Sequence, residues 1–267
     1  MISIVCVYND ERAIGELLLK SLEKQTVPYE LIKINNTSKK FPSAAAALNN
    51  GGRDAKGDYI MFVHQDVELL SDTWLADVEQ ALGALPDLGI AGVAGTRDET
   101  GIIGNFFSGV PPGRSWTTTI RSPEEVQTLD ECLVIIPRKI FEKRQFDEKA
   151  CDDWHLYAVD YSLGCRETGT RVFVLPMEVH HRSDGIGAKK SPFTLFIFKF
   201  GLSYTAYPRE YYRALGNILK KHSSTRVIYT TCGRWDTRYP LFLQRSVLVG
   251  LIKYPWTRFR RYIRERQ

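Results

Sequence analysis

The chain has 267 residues, 43% hydrophobic and 25% charged, proportions that exclude a disordered chain and a fibrous repeat and fit one large α/β domain, alone or with an extension. The formal charge of +5 hides an asymmetry: Phe193 to Gln267 holds 15 Lys and Arg against 3 Asp and Glu, a net of +12, while the first 192 residues carry −7. An acidic body with a basic, aromatic tail points to something anionic, phospholipid or nucleic acid, as what the tail meets. Five scattered cysteines without a Cys-x-x-Cys pair exclude a disulfide scaffold and a zinc ribbon and fit a reducing cytosol. The opening Ile2 to Val7 lacks the basic segment and long apolar core of a signal peptide. No stretch reaches the roughly 20 apolar residues of a membrane span; the nearest, Leu241 to Trp256, is broken by Arg245 and Lys253.

In chain order, Ile2 to Tyr8 reads as a buried strand, and Ile14, Leu17, Leu18 and Leu22 recur at helical spacing behind a cap at Asn9 or Asp10. Leu31 to Asn35 is a second strand. Ser43 to Asn50 is an Ala-rich helix that Gly51 and Gly52 are expected to stop. Asp58 to Val63 is a third strand, Trp74 to Leu85 a helix and Ile90 to Ala94 a fourth strand. This alternation predicts βαβ units and a mostly parallel sheet flanked by helices. Arg97 to Pro123, punctuated by Gly and Pro, reads as a long loop on the acceptor side. Strands return at Glu131 to Pro137 and, after a helix, at Arg171 to Pro176. The composition turns aromatic and basic after Pro192, so the chain divides there into residues 1–192 and a helical extension, 193–267.

In a parallel sheet, ligands sit beyond the carboxyl ends of the strands. Those ends are Tyr8-Asn9-Asp10, Asn35-Asn36, His64-Gln65-Asp66 and, after the last apolar run, His180-His181. Asp66 with a histidine from the last segment offers a hard oxygen and an imidazole, which suit a divalent ion that also takes phosphate oxygens, Mn²⁺ or Mg²⁺.

The assembled pattern resembles a family-2-type glycosyltransferase of the GT-A fold. Its pieces are Val7-Tyr8-Asn9, Ala47-Leu48-Asn49-Asn50-Gly51, Ala55-Lys56-Gly57-Asp58, Phe62-Val63-His64-Gln65-Asp66 and Phe146-Asp147-Glu148, then Trp154 to Leu163, Gly169 and His181-Arg182-Ser183. They span roughly residues 1–187. The resemblance implies an inverting transfer of a sugar from a nucleoside-diphosphate-sugar to a hydroxyl of a glycan or lipid-linked acceptor. It places Tyr8, Asn9, Asn36, Asn49, His64 and Gln65 around the donor nucleotide. Asn36 stands where an acidic uracil-binding residue is common. His64-Gln65-Asp66 takes the place of the family's Asp-x-Asp, so Asp66 is expected on the metal, with His181 or its neighbour His180. The usual general base falls on Ala158; Asp160 is the expected substitute, with Asp153 and His155 in the same segment, and Trp154 is expected at the acceptor.

Ala158 and His64 also keep a second reading open, a catalytically silent relative that holds a nucleotide sugar or glycan. The tail has two readings as well. Arginines interleaved with Trp256, Phe259 and Tyr262 suit a segment lying on the cytoplasmic face of an anionic membrane, while a helix packed on the body would leave the same cations solvated. Nucleic acid is not expected as a partner, since no recognition motif accompanies the charge.

Overall fold

The computed structural model describes residues 1–97, 101–115, 117–182 and 207–244. The basic aromatic segment 245–267, the boundary at Pro192 and the Ser183 end of the closing motif lie outside the described residues.

Strands β1 (Ile2–Tyr8), β2 (Tyr29–Asn35) and β3 (Tyr59–Val63) form where the apolar runs were read. A large sheet runs β2-β1-β3-β11-β5-β12-β9, where β5 is Leu88–Gly92, β9 Glu124–Glu125, β11 Leu133–Pro137 and β12 Arg171–Val174. Alternate residues of β1 bury on opposite faces: Ile2, Ile4 and Cys6 join Leu18, Leu22 and Trp74, while Val5 joins Ala45 and Leu48. Burial on both faces explains why the strands read as unbroken apolar runs rather than alternating ones. The sheet is mixed. β1, β2 and β3 are mutually parallel, but β11 runs antiparallel to both β3 and β5. That reversal brings the start of β11 to the same sheet edge as the end of β3, with Leu133 opposite Val63.

A second sheet follows the order β10-β6-β7-β13-β4, with β4 Val67–Leu69, β6 Ala94–Thr96, β7 Ile102–Ser108, β10 Thr128–Leu129 and β13 Glu178–His181. β7 corrects the long-loop reading of Arg97 to Pro123. Its apolar Ile102, Ile103, Phe106 and Phe107 are interrupted by Gly104, which masked the strand signal. Gly104 adopts φ +146 and stands so close to Val93 that a Cβ would strike that carbonyl, a strand glycine kept for close backbone approach.

Helix α1 comprises three contiguous segments, Glu11–Ile14, Gly15–Leu19 and Lys20–Leu22, and is capped by Asp10, whose carboxylate accepts from the amides of Arg12 and Ala13. Helix α2, Ala44–Asp54, runs through the expected stop at Gly51-Gly52. Neither glycine has a left-handed φ; a Cβ on Gly51 would lie 2.6 Å from Val5 and 2.7 Å from Ile34. The pair lets the helix lie close on the sheet and does not end it.

Helix α3 is Trp74–Gly83, α4 Arg138–Phe141 and α5 Tyr157–Glu167. Beyond residue 206, α6 (Arg209–Lys221) buries Tyr211, Ala214, Leu215, Ile218 and Leu219, an i, i+3, i+4, i+7, i+8 stripe. These side chains enter the same core as α2 and α5; burying each large one contributes about 1.5–3 kcal/mol. A hairpin of β14 (Val227–Thr230) and β15 (Gly233–Asp236) follows, so the described part of the extension holds strands as well as a helix. Among the described residues, no helix is long and apolar enough to cross a membrane.

Candidate active site

Parallel β1, β2 and β3 deliver their carboxyl ends to one edge, where a cavity of about 260 Å³ opens between Tyr8, Asn9, Asn36, His64, Gln65 and Asp66, with Trp154 at its rim. A second cavity of about 600 Å³ shares His64, Asp66 and Trp154 with the first and continues past Asp130, Glu131, His155 and His181 to Tyr207, Tyr211 and Thr230 of the extension. His64 and Asp66 therefore stand at the junction of the two spaces.

Strand pairing sets the junction. β13 lies antiparallel to β4 with His181 opposite Val67, and the Arg182 amide donates to the Asp66 carbonyl at 2.9 Å. Side chains alternate along β13, so its two histidines part. His181 turns to Asp66 and His64, and one ligand atom from each of the three lies within 4.8 Å of the others. His180 turns away; its ring nitrogens lie 3.3 Å from Glu68 Oε2 and 3.0 Å from the Gly109 carbonyl oxygen. Of the two histidines, His181 is the one in the cluster, and His180 is spent on packing the second sheet.

The cluster is under-satisfied. His181 Nε2 lies 3.3 Å from Asp66 Oδ1, yet it is buried with no hydrogen-bond partner among the described residues. Burial opposes charge on Asp66, but His181 and His64 hold its carboxyl below the usual range. Burial likewise opposes charge on His181, while Asp66 raises it above the ordinary imidazole value. Burial, then the charge of His181, drives His64 down to about 4, so His64 is neutral at neutral pH and its lone pair is available. The Tyr157 hydroxyl, 3.1 Å from His64 Nε2, donates to the Glu131 carbonyl at 2.9 Å and fixes the ring. Two imidazoles and a carboxylate, with the His181–Asp66 contact outside hydrogen-bond geometry, fit a divalent cation with coordination positions to spare for phosphate oxygens. His64, expected among the donor-binding residues, belongs to this cluster.

The remaining expected residues divide. Gln65 ties the ends of β1 and β3 together: its Oε1 accepts from the amides of Asn9 and Asp10 at 2.9 and 3.0 Å, and its Nε2 donates to Asn9 Oδ1 at 2.8 Å. Asn36 Oδ1 accepts from the Phe41 amide at 2.9 Å. Both residues line the first cavity while holding its wall in shape, as Asn9 and Tyr8 do. Asn49 lines neither cavity. It is buried against the Phe146 backbone and Glu148, with three hydrogen bonds of 2.9–3.0 Å, and pins the loop that follows α4. Trp154, 39% exposed, borders both cavities. His155 lines the second, its ring 5.8 Å from that of Tyr211.

Asp160 is corrected. It is 2% exposed, lines neither cavity, and its two oxygens are taken by His222 Nε2 at 2.9 Å and Lys221 Nζ at 2.8 Å. It anchors the end of α6 to α5 and cannot reach a substrate in either cavity. Asp153 also lines neither; its carbonyl accepts from the Ala44 amide at 3.1 Å. What sequence reading missed is Asp130-Glu131, which the antiparallel β11 carries to the active edge. A polar pair directly before an apolar strand was the available signal, and the assumed parallel direction placed it at the wrong end.

Comparisons with known proteins bear on the family and the fold. Residues 3–183 match the model of a family described as "Glycosyltransferase like family". S. aureus TarS 1–349, solved with UDP-GlcNAc, superposes at a TM-score of 0.56 and 15% identity, covering 82% of this chain and 66% of that one. The mannosyltransferase PcManGT of Pyrobaculum calidifontis, solved with GDP-Man and Mn²⁺, gives 0.52 at 12% identity over 84% of this chain and 64% of its own. A curated protein of Fuscovulum blasticum, "ATP synthase subunits region ORF 6", is 28% identical over 139 residues, 47% of this chain. The chain spans about half of that relative, 52%, and just under two thirds of TarS 1–349.

Proposed function

Because this chain belongs to the glycosyltransferase-like family and has a GT-A-type fold, we propose that it is a transferase that moves a sugar from a nucleoside-diphosphate-sugar to an acceptor hydroxyl in a metal-dependent, inverting reaction. The observation that carries the metal dependence is the under-satisfied His64–Asp66–His181 cluster at the junction of two cavities. In this reading the nucleotide lies in the first cavity against Tyr8, Asn9 and Asn36, and the acceptor, a glycan or lipid-linked sugar, enters the second past Trp154. Asp66, His181 and His64 would hold the ion, which when bound neutralises charge on the departing diphosphate, an effect of several kcal/mol. Mn²⁺ suits this mixed nitrogen and oxygen donor set better than Mg²⁺, which prefers oxygen. The chain's own residues do the rest: Gln65 fixes the two strand ends, Tyr157 orients His64, and the second cavity holds the acceptor beside the junction.

The test is a thermal-shift screen of UDP- and GDP-sugars with and without Mn²⁺, followed by measurement of nucleoside-diphosphate release. A ligand bound only by the native state raises the melting temperature according to its affinity. A shift that needs both nucleotide and Mn²⁺ is expected; a shift indifferent to the metal defeats the metal-dependent reading. Donor binding without release would favour the silent relative that Ala158 brings to mind.

A further inference from the structure

We propose that Glu131 is the general base of this transferase, supplied from the start of β11 to the place that Ala158 leaves empty; the assignment rests on the donor-transfer reading above. Three carboxylates line the two cavities among the described residues: Asp66, Asp130 and Glu131. Asp66 belongs to the cation cluster. Asp130 spends Oδ1 on the Cys132 amide at 3.0 Å. Glu131 Oε1 is buried without any hydrogen-bond partner among the described residues, so a lone pair is left for an incoming hydroxyl in the second cavity.

Its setting suits the role. Leu156, which precedes α5 with a left-handed φ of +68, supplies no side-chain cap, and the amides of Tyr157, Leu156 and Ala158 act on the Glu131 carboxylate instead. Helix N-termini favour a carboxylate, and here a residue from the bend before β11 provides it. Through its carbonyl, Glu131 is one hydroxyl, that of Tyr157, away from His64. Burial, then the charge of Asp130, pushes its carboxyl well above the usual range, which makes the carboxylate a stronger base than a free one. In the step, the acceptor oxygen bonds to the anomeric carbon as its proton passes to Glu131 Oε1. The bond from that carbon to the phosphate oxygen breaks, and its electron pair leaves with the nucleoside diphosphate.

The experiment uses the full chain with Mn²⁺, UDP-GlcNAc and GDP-mannose as donors, and water as acceptor. Glu131→Gln, nearly isosteric, is expected to keep the Mn²⁺-dependent thermal shift with UDP or GDP. Release of nucleoside diphosphate should fall about 10²- to 10⁴-fold in kcat at unchanged KM, with Glu131→Asp recovering part of it. A cap of purely structural importance would instead lower the melting temperature of the Gln variant and leave kcat within a few-fold. If Glu131→Gln turns over like the wild type, or if the loss follows Asp130→Asn or His155→Gln instead, the assignment is overturned. So too if the wild type binds nucleotide but turns over neither donor. A wild-type chain without any metal-dependent nucleotide shift removes the transferase reading, and this assignment with it.

Discussion

Two buried clusters in this molecule pair a carboxylate with imidazole, and they are built to opposite ends. Behind the sheet, Asp160 is saturated: His222 Nε2 and Lys221 Nζ take its oxygens, His222 Nδ1 lies 2.7 Å from Glu167, and Lys221 also pairs with Asp147 at 2.8 Å. At the active edge, Asp66 faces the buried His181 Nε2 at 3.3 Å, outside hydrogen-bond geometry. A saturated network holds elements together; an under-satisfied one has capacity left for a ligand. Both clusters join a carboxylate to an imidazole from a distant part of the chain, and what remains unbonded separates anchor from site.

Substitution should expose that division, and the anchor gives the larger effect. Asp160→Ala strips one carboxylate from each of His222 and Lys221 and leaves them Glu167 and Asp147, a loss of about 1.5–3 kcal/mol for each charge-assisted hydrogen bond removed. Chemical denaturation is expected to report it, while any protein that remains folded keeps its Mn²⁺-dependent nucleotide shift. Asp66→Ala should do the reverse: unfolding without ligand shows the smaller loss, that of the His181 pair, and the metal-dependent stabilisation vanishes. That stabilisation amounts to about 2.7 kcal/mol at ligand 100-fold above Kd. An Asp66 variant that still shows the metal-dependent shift would erase the contrast between the clusters. A third substitution sharpens the boundary of the site. Asn49→Ala strips the partners from the Phe146 backbone and should lower stability by about 1–3 kcal/mol, with nucleotide affinity unchanged; a weakened affinity instead would return Asn49 to the donor site.

What the sequence made legible follows from the range of the interactions. The strands of residues 2–8, 29–35 and 59–63, and with them the convergence of Asn9, Asn36 and Asp66, could be read because apolar runs and their polar ends are local signals. Which of His180 and His181 faces the site was not legible: alternation along the four-residue strand sends them to opposite sides, and only the pairing of β13 with β4 shows which side meets Asp66. Asn49 and Asp160 misled because each is a polar residue within a motif whose partners lie far away, Phe146 and Glu148 for one, His222 and Lys221 for the other. No local pattern tells a satisfied carboxylate from a free one. Glu131 stayed hidden for a topological reason: only the antiparallel course of β11 brings the residues just before that strand to the edge where parallel strands end. Gly51 and Gly52 carry the same lesson on a smaller scale, for a glycine that stops a helix and one that lets it pack close look identical in one dimension.

The smallest expected effect concerns pH and tests the anchor alone. Burial opposes charge on His222, but Asp160 and then Glu167 raise its affinity for a proton above the ordinary imidazole value. A group whose folded-state pKa is raised contributes stability that is fully present below its unfolded pKa, near 6.5, and that is lost as pH rises through the higher folded value. The attachment of α6 should therefore weaken as pH rises from the unfolded value through the higher folded one. His181 is also raised by its carboxylate and contributes with the same sign, so the wild-type profile alone does not isolate the anchor. The difference between wild type and His222→Gln does. The variant is expected to be less stable at pH 6 and to approach the wild type as pH rises above the folded value, because the neutral imidazole and the amide then face Asp160 on similar terms. Urea unfolding at stepped pH measures the gap. A gap that stays constant or widens with pH would mean that His222 acts by shape alone and that the charge on Asp160 is balanced by Lys221.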